Sequence, residues 1–364
     1  MSDVAIVAAR RTPIGTAGHG LATSTAADLA AAVLPPVLAD AGLTTDDVAE
    51  VVLGNCTGPG GDLARYAALQ AGLGVGIPGL TVDRQCGSGL AALVVGAALV
   101  EDGRVVIAGG VESASTSSRP ERASFAPSEL GDPEMGEAAD LVAARAGISR
   151  ERQDAYALRS HERAVAAAGR GVFEAELVGV GGLTQDERPR PGLTRERLAR
   201  MRPIFSAEGT ATAGTSCGIN DGAAAVVLMT EPDRVRRALP GLRILSSATV
   251  GVSPRTPGLG IVPAVRVALD RAGVTLDDIA VIEFNEAFAG QVLACCDELG
   301  LDPGRVCVDG GAIALGHPWG ASGAVLAVRL FAQLVRSPRV GALGLAAIAV
   351  GGGQGVAMVV ESCR

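Results

Sequence analysis

The sequence predicts a layered α/β protein made of two similar halves with a separate segment between them. Three observations carry this expectation: an internal repeat at long offset, a composition of small side chains, and a middle stretch unlike either flank. The repeat is clearest where Ala41-Gly42-Leu43-Thr44-Thr45-Asp46-Asp47-Val48 matches Ala272-Gly273-Val274-Thr275-Leu276-Asp277-Asp278-Ile279, an offset of 231 residues. Each copy reads as a helix end, a glycine C-cap, an Asp-bearing turn and a strand rich in β-branched residues. Val4-Ala5-Ile6-Val7 pairs likewise with Ile244-Leu245-Ser246-Ser247 as an opening strand. Gly87-Ser88-Gly89 pairs with Ala321-Ser322-Gly323 at the start of an apolar helix, and Arg104 to Gly109 pairs with Gly344 to Val350 as a buried strand. This repeated order argues for two α/β halves around a pseudo-twofold axis, with mixed sheets and helices outside.

Composition agrees with tight packing. Hydrophobic residues are 48% of the chain and glycine supplies 50 positions, while aromatics are only 2%; small side chains allow close backbone approach. Residues 116–218 are richer in charge, proline and helix-forming stretches such as Glu151 to Ala168 and Arg195 to Met201, which reads as an inserted loop domain. The strand Ala223 to Met229 returns the chain to the first half. The expected units are therefore 1–115 with 219–242, the insert 116–218, and 243–364.

Several function classes are excluded. The net charge of -8 lacks the basic excess that a nucleic-acid surface needs. All 31 basic residues are arginine, which removes a P-loop lysine, a pyridoxal-phosphate Schiff base and a lysine base together. With only His19, His161 and His317 a zinc or iron site is not expected, nor any permanently bound cofactor. The seven cysteines are irregularly spaced without paired CxxC units, so free thiols in a reducing compartment are expected. No signal-like or membrane-spanning run stands out, which points to a cytoplasmic protein with no membrane partner.

Four segments carry chemistry. Thr81 to Ala91 reads as a strand, a tight glycine turn and a helix, placing Cys86 at a helix N-terminus, where the macrodipole and free N–H groups favour the thiolate; a buried structural cysteine is the alternative. The equivalent turn in the second half holds His317, which pseudo-symmetry would bring near Cys86 as base or oxyanion donor, against the ordinary case of a structural histidine. Asn285-Glu286 follows a strand directly, either at the rim of a site or as an Asx turn with Glu286 in a helix's first turn. Ala349 to Gly355 closes the last strand pair, its glycines letting backbone N–H groups approach a substrate.

Together these segments resemble the thiolase family almost from end to end. Arg11-Thr12-Pro13-Ile14-Gly15, Asp83 to Gly89, Asn285 to Ala289 and Gly316 to Gly323 carry the likeness, joined in the insert by Met135-Gly136, Ile148 to Ser160, and Glu208 to Gly222. The resemblance implies a five-layered αβαβα fold, a homodimer or homotetramer, and acyl-coenzyme A substrates handled by ping-pong covalent catalysis. Cys86 would then attack the thioester. His317 would activate it and, with a water held by Asn285, form one oxyanion hole; the N–H groups of Cys86 and Gly351 would form the other. The resemblance places Arg202, Cys217, Ser216, Met135 and Phe288 on the substrate side. The arginines at 188, 190, 195, 197, 200 and 202 cluster in the insert, where guanidinium groups suit the coenzyme's phosphates or else form a solvated face.

One position departs from the pattern. The family's second catalytic cysteine, which removes the α-proton of the incoming acyl donor, corresponds here to Ala349, whose methyl group transfers no proton. Condensation and cleavage of 3-ketoacyl-coenzyme A would be impaired, or the chemistry changed to decarboxylative condensation or acyl transfer to an amine or alcohol, or Cys217 would substitute. The Cys86 to His317 interval also looks shortened, so a bulkier or carrier-protein-bound acyl group is an open alternative. A non-catalytic scaffold subunit is the reading from a different class.

Overall fold

The computed structural model describes residues 4–117 and 123–364; the part of the insert at 118–122 lies outside the described residues. The chain opens with β1 (Val4–Arg11), β2 (Gly15–Thr16), α1 (Ala26–Asp40), β3 (Val48–Gly54), α2 (Leu63–Gln70), β4 (Gly79–Val82), α3 (Ser88–Leu99) and β5 (Val105–Ser113). Next come α4 (Met135–Arg145), α5 (Arg150–Gly169) and α6 (Arg195–Ala199), then β6 (Asn220–Thr230) and α7 (Glu231–Arg236). The remainder is β7 (Gly241–Gly251), α8 (Ile261–Ala272), β8 (Ile279–Phe284), α9 (Ala289–Leu299), α10 (Ala312–Leu315), α11 (Trp319–Phe331), β9 (Leu343–Val350) and β10 (Gln354–Cys363).

The strand order is β4-β3-β5-β6-β1-β7-β10-β9-β8, with β2 beside β6. Setting β4 and β2 aside, it reads the same from either end once β1 is matched with β7, β6 with β10, β5 with β9 and β3 with β8. The two halves join at β1 and β7, where only Ala5↔Arg243 and Ile6↔Leu242 pair. The repeat seen in the sequence is thus the symmetry of the sheet. Its local cause is visible at the turns before β3 and β8: Thr44 with Asp47, and Thr275 with Asp278, form the same reciprocal capping box.

Period-two alternation sends Val4 and Ile6 to one core and Ala5 and Val7 to another. Three cores result. Helices α1 and α2 cover one outer face, α8 and α9 the other, and α3 with α11 fill the space between the two halves of the sheet. The fold is the five-layered αβαβα arrangement. Helices do not all lie outside, as the strand pattern suggested: α3 and α11 form the middle layer because they are predominantly apolar, the one charge of α11, Arg329, being paired with Glu176 and Asp309. Their approach depends on small residues, since a Cβ on Gly89 would meet the Ala324 nitrogen at 2.7 Å. Among the described residues no helix is long and apolar enough to cross a membrane.

Candidate active site

The middle layer positions the chemistry. Cys86 lies two residues before α3, and His317 two residues before α11, each after a residue of positive φ: Gln85 at 45° and Gly316 at 116°. The left-handed residue of the Cys86 turn is therefore Gln85 rather than a glycine. Ser88 holds this turn by donating from Oγ to the Gln85 carbonyl at 2.6 Å and accepting from the Arg84 N–H at 2.8 Å. Gly87 is required for a different reason, because a Cβ there would stand 2.6 Å from Val350 Cγ2 at the end of β9. That contact brings the β9–β10 corner, with Gly351, onto the cysteine turn.

Cys86, His317, Cys217, Ala349 and Gly351 line one cavity of about 100 Å3, together with Met135, Phe288, Gln291 and Trp319. A second opening, lined by Ser216, Phe205 and Ile219, shares Met135, Cys217, Phe288 and Trp319 with it and forms its mouth. Phe205 and Phe288 meet edge to face at 5.6 Å. Ser216 Oγ is buried at this mouth without a protein partner.

Electrostatics differ from the expectation for a helix N-terminus. Burial pushes the Cys86 thiol up to about 12, assisted by the nearby Cys217 and Glu112 charges; hydrogen bonds from the backbone N–H groups of Cys86 and Gly351 act the other way and are outweighed. Alkylation of Cys86 by iodoacetamide should then rise about tenfold per pH unit from pH 7 to pH 10 without levelling. A plateau with a midpoint below 9 would show that the two amides dominate. His317 is driven by burial down to about 4 and is neutral at ordinary pH. Its Nδ1 lies 2.6 Å from Ser322 Oγ, and its backbone N–H donates to Asn220 Oδ1 at 2.9 Å.

Asn285 does not line the Cys86 cavity. It borders a neighbouring one of about 20 Å3, shared with Glu283, Gly316 and Ser322. Glu286 is neither in the first turn of α9 nor part of an Asx turn; its carboxylate accepts from Tyr156 Oη at 2.8 Å and Ser160 Oγ at 2.6 Å, fastening α5 to the end of β8. The arginines singled out at 188, 195 and 202 do not converge on the Cys86 cavity. Arg188 turns inward to the carbonyls of Ile313 and Ser216, Arg195 borders a separate surface pocket with Arg152 and Arg159, and Arg202 is exposed, lining neither the cavity nor its mouth.

Glu112 went unnoticed in the sequence, and Asn220 entered only within the Glu208 to Gly222 likeness, without a role. Glu112 ends β5 fully buried, and its carboxylate accepts from the N–H groups of Gly320 at 3.0 Å, Cys56 at 3.3 Å and Thr57 at 3.1 Å, tying the start of α11 to the loop after β3. A lone carboxylate in an otherwise uncharged strand was the available signal. Asn220, just before Asp221-Gly222, holds the His317 backbone and donates from Nδ2 to the Gly15 carbonyl at 2.9 Å.

The family description "Thiolase, N-terminal domain" matches residues 4–232, and "Thiolase, C-terminal domain" matches residues 239–362. The chain is 43% identical to the acetyl-CoA acetyltransferase of Pseudomonas aeruginosa over 390 residues, covering 98% of this chain and 99% of that one. It is 41% identical to the acetyl-CoA acetyltransferase of Escherichia coli, covering 99% of each. The crystal structure of the Bacillus anthracis acetyl-CoA acetyltransferase superposes with a TM-score of 0.93 at 36% identity, over 100% of this chain and 99% of that one. With both family domains matched in order and relatives aligned over nearly their full length, the chain belongs to the thiolase family of acyltransferases.

Proposed function

We propose that this chain forms an acyl-enzyme on Cys86 from an acyl-coenzyme A thioester and passes the acyl group to the α-carbon of a second thioester, making or cleaving a 3-ketoacyl-coenzyme A. The observation that carries this reading is the single cavity in which two pseudo-symmetric helix starts place a thiol and a neutral imidazole. The activity for which the relatives are named, acetyl-CoA acetyltransferase, supports the coenzyme A thioester as substrate.

Each residue then has a role. In the tautomer that carries its proton on Nδ1, 2.6 Å from Ser322 Oγ, the His317 Nε2 lone pair is free to take the Cys86 proton. The N–H groups of Cys86 and Gly351 that already favour negative charge on the sulfur stabilise the oxyanion of the tetrahedral intermediate. The small cavity beside Asn285 and Ser322 has room for about one water, which supports a water-mediated second oxyanion site reached from His317. Met135 and Phe288 guide the thioester arm through the mouth, and the unpartnered Ser216 hydroxyl offers it a hydrogen bond.

Intact-protein mass spectrometry after incubation with acetyl-, malonyl- and longer acyl-coenzyme A tests this. The expected result is an acyl adduct on Cys86 that acetyl-coenzyme A discharges as a 3-ketoacyl product. Discharge only by malonyl-coenzyme A, with release of CO2, would favour the decarboxylative reading that Ala349 in the cavity wall suggests; no adduct with any donor would refute the acyl-enzyme.

A further inference from the structure

Joining two thioesters needs three proton-handling groups in one cavity: a nucleophile, a base for that nucleophile, and a group that takes the weakly acidic proton from the α-carbon of the second thioester. Cys86 and His317 fill the first two places in the reading above, on which this inference rests. The rest of the lining is apolar or amide, with Gln291 donating from Nε2 to the Gly258 carbonyl at 3.0 Å. Among the described residues of that lining, only Cys217 remains able to exchange a proton.

Its placement suits the task. Cys217 belongs to both the cavity and the mouth, so a thioester entering toward Cys86 passes its sulfur. The backbone there is pinned on both sides: the Cys217 N–H donates to the Ala287 carbonyl and the Ala289 N–H to the Thr215 carbonyl, each at 2.9 Å. A half-buried cation stands next to it, since Arg188 donates to the Ser216 carbonyl at 2.8 Å and would lie 2.6 Å from a Cβ on Gly218. We propose that Cys217 is the acid–base thiol of the condensation, taking the α-proton of the second thioester in a cavity whose other wall at Ala349 has no proton to exchange.

The proton balance closes. In the first half-reaction Cys86 gives its proton to His317 and attacks the thioester, and the departing coenzyme thiolate takes the proton of Cys217. The Cys217 thiolate, opposite Arg188, then removes the α-proton of the second thioester. The resulting carbanion attacks the acyl carbon on Cys86; the carbon–carbon bond forms, the carbon–sulfur bond breaks, and the Cys86 thiolate recovers its proton from His317. Burial pushes the Cys217 thiol up to about 12, with the Arg188 charge pulling the other way. A thiolate of raised basicity is better matched to a weak carbon acid, while the guanidinium keeps it attainable.

The test is deuterium incorporation into the methyl group of acetyl-coenzyme A in D2O, read beside the Cys86 adduct by mass spectrometry on the same full-length enzyme. Cys217→Ala should lower exchange and condensation by at least about 100-fold while the adduct still forms, which also shows that the variant is folded. Adding Ala349→Cys to Cys217→Ala should restore exchange by returning a thiol to the same cavity. Exchange that persists in Cys217→Ala overturns the assignment, as does a wild-type enzyme that carries the adduct without exchanging. Absence of any adduct would instead overturn the acyl-enzyme, and this inference with it.

Discussion

Cys86→Ala is expected to abolish acyl loading and to lower turnover by on the order of 10^4-fold or more, the scale on which loss of a covalent nucleophile is felt when the rest of the site survives. No other group in the cavity substitutes for it. His317 is held by Ser322, and Cys217 stands at the mouth rather than under the two amides that meet the Cys86 sulfur. The variant should fold, because Cys86 keeps part of its surface open to the cavity and packs only at the margin of the central core. Comparing the intact mass after acetyl-coenzyme A treatment with the thermal midpoint separates the two effects. Loading that continues in Cys86→Ala would remove the cysteine from the mechanism.

The largest effect on stability is expected at Glu176, far from the chemistry. Glu176 is fully buried and accepts from Arg11 Nε at 2.8 Å and from Arg329 at 2.5 Å. Arg11 also grips Asp186 at 2.7 Å, and Arg329 grips Asp309 at 2.7 Å. The Phe173 ring lies beneath both guanidinium groups, at 5.5 and 4.8 Å. Arg11 belongs to β1, Glu176 to the connection after α5, and Arg329 to α11, so one carboxylate joins three parts of the chain. Burial works against the Arg11 charge, but Asp186 and Glu176 outweigh it and hold the group charged. Removing the carboxylate takes one of two acidic partners from each of two buried cations and should cost about 3–5 kcal/mol, a large share of the roughly 5–15 kcal/mol that holds a typical protein folded. Urea denaturation of Glu176→Ala should show a marked fall in midpoint at unchanged slope, with Glu176→Gln intermediate. A shift below about 1 kcal/mol would mean that Asp186 and Asp309 suffice to hold both arginines.

Much of the frame was legible because its causes are local. Thr44 with Asp47 and Thr275 with Asp278 are three residues apart, and the alternation of Val4 to Val7 is a property of the strand itself. The turns bearing Cys86 and His317 could be matched for the same reason, since each is a short loop feeding an apolar helix. The Glu286 contacts could not be anticipated, because Tyr156 and Ser160 come from 130 and 126 residues away. Nor could the inward turn of Arg188, whose direction is set by the Ile313 carbonyl 125 residues away.

The sequence by itself determined the repeat, the order of strands and helices and the thiolase likeness, and it nominated Cys86 and His317 as the thiol and imidazole of the proposed chemistry and Ala349 as the departure from the family pattern. The tertiary structure alone decided how charge behaves there. It sandwiched α3 and α11 between the sheet halves, and the resulting burial pushed Cys86 up and His317 down; it also set Cys217 in the same cavity beside Arg188. The physical reason is that hydrogen-bond patterns within a few residues follow from local chain geometry. The cost of a charge depends instead on how completely distant segments exclude water from it.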